Sequence, residues 1–347
     1  MRFVPVILIA AVLASPALAE DAKKPAEPGP WKLGSTLGLN LSQSSFSTNW
    51  AGGDKGSIVW VLNTNTTAER QFTKTFNLQN VLQLAYGQTT RQVVPDAAKP
   101  DERVWDEPDK TTDQIAFEST GRFTFGGFVD PYLGLRLDSQ FRDESFEPIG
   151  TIDFNPVKLK ESAGIARVLE KTDDKETITR LGFGFRQTLA KSFTDPVAKT
   201  KASYTTNDGG LEWVTTATRP MFEKKVLYKG SLLVFQPVFY SKSDALEQFD
   251  ARVKTGEGAV PANPAAEAVA DFWKATDVNW QNTFTAQITK HIGVTLFAQW
   301  VYDKFDAAAN VDPKLPLAVQ IAEVKRNTRK AGQFKETLAL SFTYALF

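Results

Sequence analysis

Glu118, Arg122, Arg136, Asp138, Arg142, Arg180 and Arg186 are the residues whose type and spacing could do chemistry. Each lies in a segment rich in Phe and Leu, and those of the seven that share a segment are an even number of positions apart. In an extended chain, residues two apart share a face, so each segment would gather its charges on one side. An arginine facing hydrocarbon at a bilayer midplane costs roughly 2–4 kcal/mol, so these side chains are expected to point into an enclosed polar space. Two uses of that space are open: a neutralised internal network of ion pairs, or the lining of a narrow conducting path.

Other reactive groups are sparse. The chain has one histidine, His291, and no cysteine, which excludes disulfides and cysteine-based metal sites. A serine hydrolase needs a base beside its nucleophile, and His291 sits in a short turn, Lys290-His291, where an exposed turn residue is expected. Acids crowd residues 101–109 (Asp101, Glu102, Asp106, Glu107, Asp109) between Lys99, Arg103 and Lys110. That mixture reads as a solvated loop, without the spacing of an EF-hand. Lys325, Arg326, Arg329 and Lys330 form a basic run that could meet lipopolysaccharide phosphates or lie on a solvated helix face. The formal net charge is +0, which gives no electrostatic footprint for nucleic acid, and neither a cofactor nor a metal is expected.

The elements that must position these side chains are strands. In 113–125, Ile115, Phe117, Phe123 and Phe125 share one face while Glu118, Thr120 and Arg122 share the other. In 132–142, Leu133, Leu135, Leu137 and Phe141 oppose Arg136, Asp138 and Arg142. The same alternation runs through 31–42, 72–87, 178–189, 272–289, 292–303 and 333–346, and less cleanly through 57–68, 156–169, 210–219 and 226–241. Pro237 in the last of these predicts a bulge. This makes twelve strands, each long enough for the roughly 9–11 residues that a tilted strand needs to cross a bilayer. The connections alternate in length: 69–71, 126–130, 170–176, 220–225 and 290–291 are short, and 43–56, 88–110, 143–155, 190–208, 242–271 and 304–332 are long. Short periplasmic turns, long outer loops and an even strand number define a transmembrane antiparallel β-barrel, all-β, of about 12 strands. A soluble sandwich has no reason to sort its loops this way. Within the loops, 261–273 and 316–330 are predicted to form short helices, the first from an Asn263 cap followed by Pro264.

The chain begins with Arg2, an apolar run from Phe3 to Leu13, and Ala17-Leu18-Ala19. The run is too short to span a bilayer and ends on a signal-peptidase pattern, so residues 1–19 are expected to be a signal peptide and 20–30 a Pro-rich linker. Residues 31–347 are then the barrel with six outer loops. The last strand ends on Phe347, the kind of terminal aromatic that barrel-assembly machinery reads, although it falls out of phase with Phe342, Tyr344 and Leu346.

The first outer loop carries Ser42-Gln43-Ser44-Ser45-Phe46-Ser47-Thr48-Asn49-Trp50-Ala51-Gly52-Gly53. It resembles a signature of a bacterial outer-membrane β-barrel family catalogued as a domain of unknown function, with Thr48 and the Ala51-Gly52 junction as departures. The resemblance implies a barrel in the outer membrane and supplies no activity. Gly52 and Gly53 suit a turn with positive φ, Asn49 can bond backbone locally, and Trp50 suits an interface girdle or the barrel mouth. A hairpin or mouth plug is the plainer reading of Asn49, Trp50, Gly52 and Gly53, and a ligand contact the sharper one. The sequence therefore predicts an exported outer-membrane barrel of non-enzymatic type, a narrow pore or a binding and uptake barrel for small solutes. The alternatives are a membrane-embedded enzyme acting on outer-leaflet lipid, and a scaffold or adhesin with a plugged lumen.

Overall fold

The computed structural model describes residues 27–46, 55–96, 98–99, 102–172, 174–195 and 197–346. The proposed signal peptide, the Asn49–Gly53 segment and Phe347 lie outside the described residues. Twelve strands form the wall: β1 Lys32–Ser44, β2 Ser57–Thr73, β3 Phe76–Val93, β4 Asp109–Phe123, β5 Asp130–Ser139 and β6 Val157–Lys171, then β7 Glu176–Asp195, β8 Thr200–Met221, β9 Val226–Tyr240, β10 Asp277–Gln287, β11 Ile292–Tyr302 and β12 Gln333–Ala345. Every strand is antiparallel to its sequence neighbours, and β1 also pairs with β12, Leu39 opposite Phe342, which closes the sheet on itself. Closure leaves no open edge along the wall, the condition a sheet must meet to satisfy its N–H and C=O groups in lipid.

The alternation places the apolar face outward. Leu37, Leu62, Leu133, Leu181, Leu211 and Leu338 are exposed on the outer surface of the wall, an arrangement that suits acyl chains. Aromatic rings bound this belt. Near the short turns, Trp31, Phe72, Phe76 and Phe123 make successive edge or tilted contacts at 5.1–6.0 Å. Near the outer loops, Trp60 contacts Tyr86, and Tyr86 contacts Phe141, both at 6.2 Å. Ten residues of β3 separate Phe76 from Tyr86, about 25 Å of height for a strand tilted ~40°, which matches the apolar band of a membrane barrel.

Three expectations change. Residues 190–208 are not a loop: β7 and β8 run on as a paired hairpin to Asp195 and from Thr200. Its polar residues misread as loop because one face is spent on hydrogen bonds to other loops, with Ser192, Tyr204 and Thr206 all engaged. The helix predicted at 261–273 is absent apart from a single turn at Phe272–Lys274. There the Asp250 carboxylate accepts the backbone N–H groups of Val269 and Ala270, which a helix would have used itself. The helix of this loop is α1, Ser243–Thr255, and the strand expected from 272 starts at Asp277. The other predicted helix exists as α2, Leu317–Asn327. Pro237 lies at a register shift between β8 and β9, beyond the last residue of β9 paired with β10.

The principal apolar core of the described residues lies above the wall. Leu246 and Phe249 of α1, Leu317 and Val324 of α2, and Phe305 and Val311 of the last loop pack into one cluster. The fifth and sixth outer loops thus form a folded cap, held by the same burial that stabilises a small globular domain.

Candidate functional site

The register builds a row of charge across five neighbouring strands. Glu118 on β4 lies opposite Arg136 on β5, Arg136 opposite Lys160 on β6, Lys160 opposite Arg186 on β7, and Arg186 opposite Asp208 on β8. Directly opposed residues sit about 5 Å apart, so three adjacent cations would repel one another unless compensated. Each is compensated. Arg136 donates to both oxygens of Asp138 at 2.6 and 2.7 Å and to Glu118 at 3.3 Å. Arg180 pairs with Glu118 at 2.8 Å and donates to the Thr120 hydroxyl at 3.0 Å. Lys160 pairs with the buried Glu212. Arg186 donates from Nε to both Asp208 oxygens at 2.9 and 3.1 Å and from a terminal nitrogen to Asp277 at 2.9 Å, while its guanidinium stacks 3.8 Å from the Phe235 ring centroid.

These groups, Asp277 apart, line a cavity of about 610 Å³ inside the barrel. The other strands contribute mostly neutral groups, among them Asn65, Thr67, Gln79, Gln83, Asn279 and Gln281, together with Glu69 and Lys229. The lining holds as many carboxylates as cations, so net charge gives the lumen no strong preference between small anions and cations. The cavity reaches from Arg122, Lys171 and Glu176, near the short turns, to Asp303, Asp306 and Ala307 of the last outer loop.

That loop crosses the mouth. It leaves β11 at Tyr302, and by Asp306 it has reached β6, five strands round the barrel, where Lys158 Nζ donates to both Asp306 oxygens at 2.8 and 2.9 Å. Thr206 and Tyr204 of β8 donate to the carbonyls of Ala307 and Ala308, Tyr240 of β9 to Ala307, and Asn310 to Ser192 of β7. Residues 306–310 are therefore a strap stitched to four strands of the far wall. Behind the strap, the Glu323 carboxylate of α2 accepts from Arg326 at 2.7 Å and from the Asn310 backbone. Burial raises the Glu323 carboxyl above its ordinary range. Burial and the nearby Asp306 charge push Asp303 up to about 6, while Lys158 holds Asp306 below its ordinary range against the cost of burial.

The sequence-derived residues divide accordingly. Glu118, Arg122, Arg136, Asp138, Arg180 and Arg186 line the lumen; Arg122 sits low, 3.7 Å from Asp130. Arg142 does not join them. The fifth strand stops at Ser139, which leaves Arg142 exposed in the third outer loop, 3.7 Å from Glu144. Of the basic run, Lys325 and Lys330 are exposed. Arg326 stacks 3.8 Å from the Phe146 centroid, and Arg329 donates to the Thr328 carbonyl. His291 lies in an exposed turn between β10 and β11, its Nδ1 3.3 Å from the Thr343 carbonyl. No cluster of three metal-ligating side chains occurs among the described residues. Sequence reasoning missed Lys158, Lys160, Asp208, Glu212, Asp277, Asp303 and Asp306. Lys158 and Lys160 carried a visible signal, since they share a parity within the predicted strand 156–169.

A closed, lipid-faced antiparallel cylinder around a polar lumen makes this a transmembrane β-barrel of the kind found in bacterial outer membranes. Residues 41–144, which take in the Asn49–Trp50 segment, match a family described as protein of unknown function (DUF3078). No curated protein matches the chain. Among solved structures, an outer membrane channel from Pseudomonas putida F1 is similar at 10% identity and a TM-score of 0.37, covering 94% of this chain and 99% of that one. The β domain of the Bordetella autotransporter BrkA is similar at 12% identity and a TM-score of 0.32, covering 92% and 99%. The NanC porin is similar at 8% identity and a TM-score of 0.29, covering 90% and 97%. The assignment to the barrel class rests on this chain's own closed sheet.

Proposed function

We propose that the chain is a non-enzymatic outer-membrane barrel that binds and admits small polar solutes through a narrow lumen whose outer end is restricted by the cap. The observation that carries this reading is the polar cavity of about 610 Å³ ending at the 306–310 strap. Its volume lies in the range that small-molecule sites occupy. Amides, hydroxyls and compensated charges suit solutes that are neutral, dipolar or singly charged. Export by the N-terminal signal peptide and insertion through the final strand by barrel-assembly machinery complete the reading. Lys325 and Lys330, exposed beside the cap, are available to lipopolysaccharide phosphates.

Planar bilayers test the reading. The mature chain should give small conductance steps, and a chain whose residues 306–331 are replaced by a short Gly-Ser turn should give steps several-fold larger. Silence from both would remove the passage and favour a plugged scaffold. Identical steps from both would remove the restricting role of the cap.

A further inference from the structure

Most charges that line the lumen are already paired. Among the described residues, only Glu69, Lys229 and Asp303 of the lining form no ion pair, and they lie toward its two ends. Between those ends, the neighbouring strands β2, β3 and β4 present the amides of Asn65, Gln83 and Gln114. Asn65 lies directly opposite Gln83, while Gln114 lies opposite Ala85, the next residue of β3 on the same face. None of these three side chains bonds a protein group among the described residues. The Asn65 Oδ1 is shielded from solvent yet accepts no bond, so its carboxamide gains by turning toward a donor. Round the wall from Gln83 come Ala116 and then Asp138. Ala116 carries only a methyl group, which leaves room between the amides and the carboxylate. Each Asp138 oxygen accepts one bond, from Arg136, and keeps a second lone pair.

We propose that Asn65, Gln83, Gln114 and Asp138 form a binding site for neutral polyhydroxylated solutes, sugars in ring form, held through neighbouring hydroxyls. The proposal rests on reading the lumen as a solute compartment and names the class of solute. A hydroxyl both donates and accepts, as a carboxamide does. One ring hydroxyl can accept from the first amide while its neighbour donates to the second, or to Asp138. Opposed side chains about 5 Å apart bring two amides to one ring. A carboxylate solute only accepts and an ammonium solute only donates. Each would leave half of every amide unused, and neither finds an unpaired counter-charge in this stretch of the lumen.

Glucose binding is followed by saturation-transfer NMR on the mature protein, purified in a detergent without a sugar headgroup. Succinate and glycylglycine are the charged and zwitterionic probes. Glucose should show saturable transfer, and both probes should bind at least ten-fold more weakly. N65L/Q83L keeps side-chain bulk and removes two amides, which should weaken glucose binding about ten-fold. Q114L should weaken it several-fold, whereas K325Q, on the exposed side of α2, should leave it unchanged. If N65L/Q83L does not fold, as judged by heat-modifiable migration in gels, N65S and Q83S carry the test separately, each several-fold weaker. Undiminished glucose affinity in the folded amide variants, or succinate binding as tightly as glucose, would overturn the proposal. Binding requires no conduction, so the two readings separate. Silent bilayers with intact glucose binding would remove the passage and keep the site; conductance without glucose binding would do the reverse.

Discussion

At the scale of single residues, the wall sorts side chains by the cost of their surroundings. Arg186 holds two carboxylates, Asp208 and Asp277, within a lumen where each is mostly buried. Replacing it with Leu strands both. Removal of one partner from a buried pair costs about 3–5 kcal/mol, and that loss is the expected drop for R186L in urea unfolding from lipid vesicles. A double replacement, R186L with D208L, should recover part of it; no recovery would mean that the two side chains are not coupled. On the other face, Leu338 is largely exposed toward the acyl chains. L338R should cost roughly 2–4 kcal/mol in the same assay, and a near-zero cost would place this strand face away from lipid. Both faces were legible from sequence, because alternation is a local property. Arg142 was misplaced because parity says which face a residue takes but not where the strand stops.

At the scale of elements, the cap is the part that the sequence concealed. The spacing Ala245, Leu246, Phe249, Val253 is a helical stripe and could have revealed α1, but the alanine-rich run at 261–273 is the stronger local helix former. Tertiary bonds to Asp250 decide against that run, and no local rule sees them. The long β7–β8 hairpin was hidden for a similar reason, since its polar face is satisfied by a loop more than 100 residues away. The electrostatics of the last loop make its docking sensitive to pH. Asp303 faces Asp306, Asp277, Lys158 and Arg186. Its carboxyl is raised to about 6 by burial and by Asp306, so the stability it lends is complete at acid pH and lost as pH rises through about 6. Glu323, also raised by burial, acts in the same direction. Asp306 is lowered, so its pairing with Lys158 holds above the ordinary carboxylate range and fails only in stronger acid, outside this window. Conductance should therefore rise between about pH 4 and pH 6 and level off above that, and D303N should flatten most of the rise. A rise of equal size in D303N would assign the pH dependence to another group.

At the scale of the whole molecule, the chain combines two solvents and two cores: an inside-out barrel, apolar outward and polar within, and a conventional apolar cluster in the cap. The barrel was readable because a period of two repeated over twelve strands, with loops sorted by length, has few other physical solutions. The cap was not, because it depends on which loops meet across the mouth. The central claim is that the strap separates the lumen from the outside, and the absence of native cysteine makes a clean test available. A single cysteine replaces Gln281, a lumen-lining residue of β10, in the intact chain and in one lacking residues 306–331. A membrane-impermeant maleimide is added to the outside of whole cells. Labelling should be slow in the intact chain and many-fold faster without the strap; equal rates in the two would contradict the account.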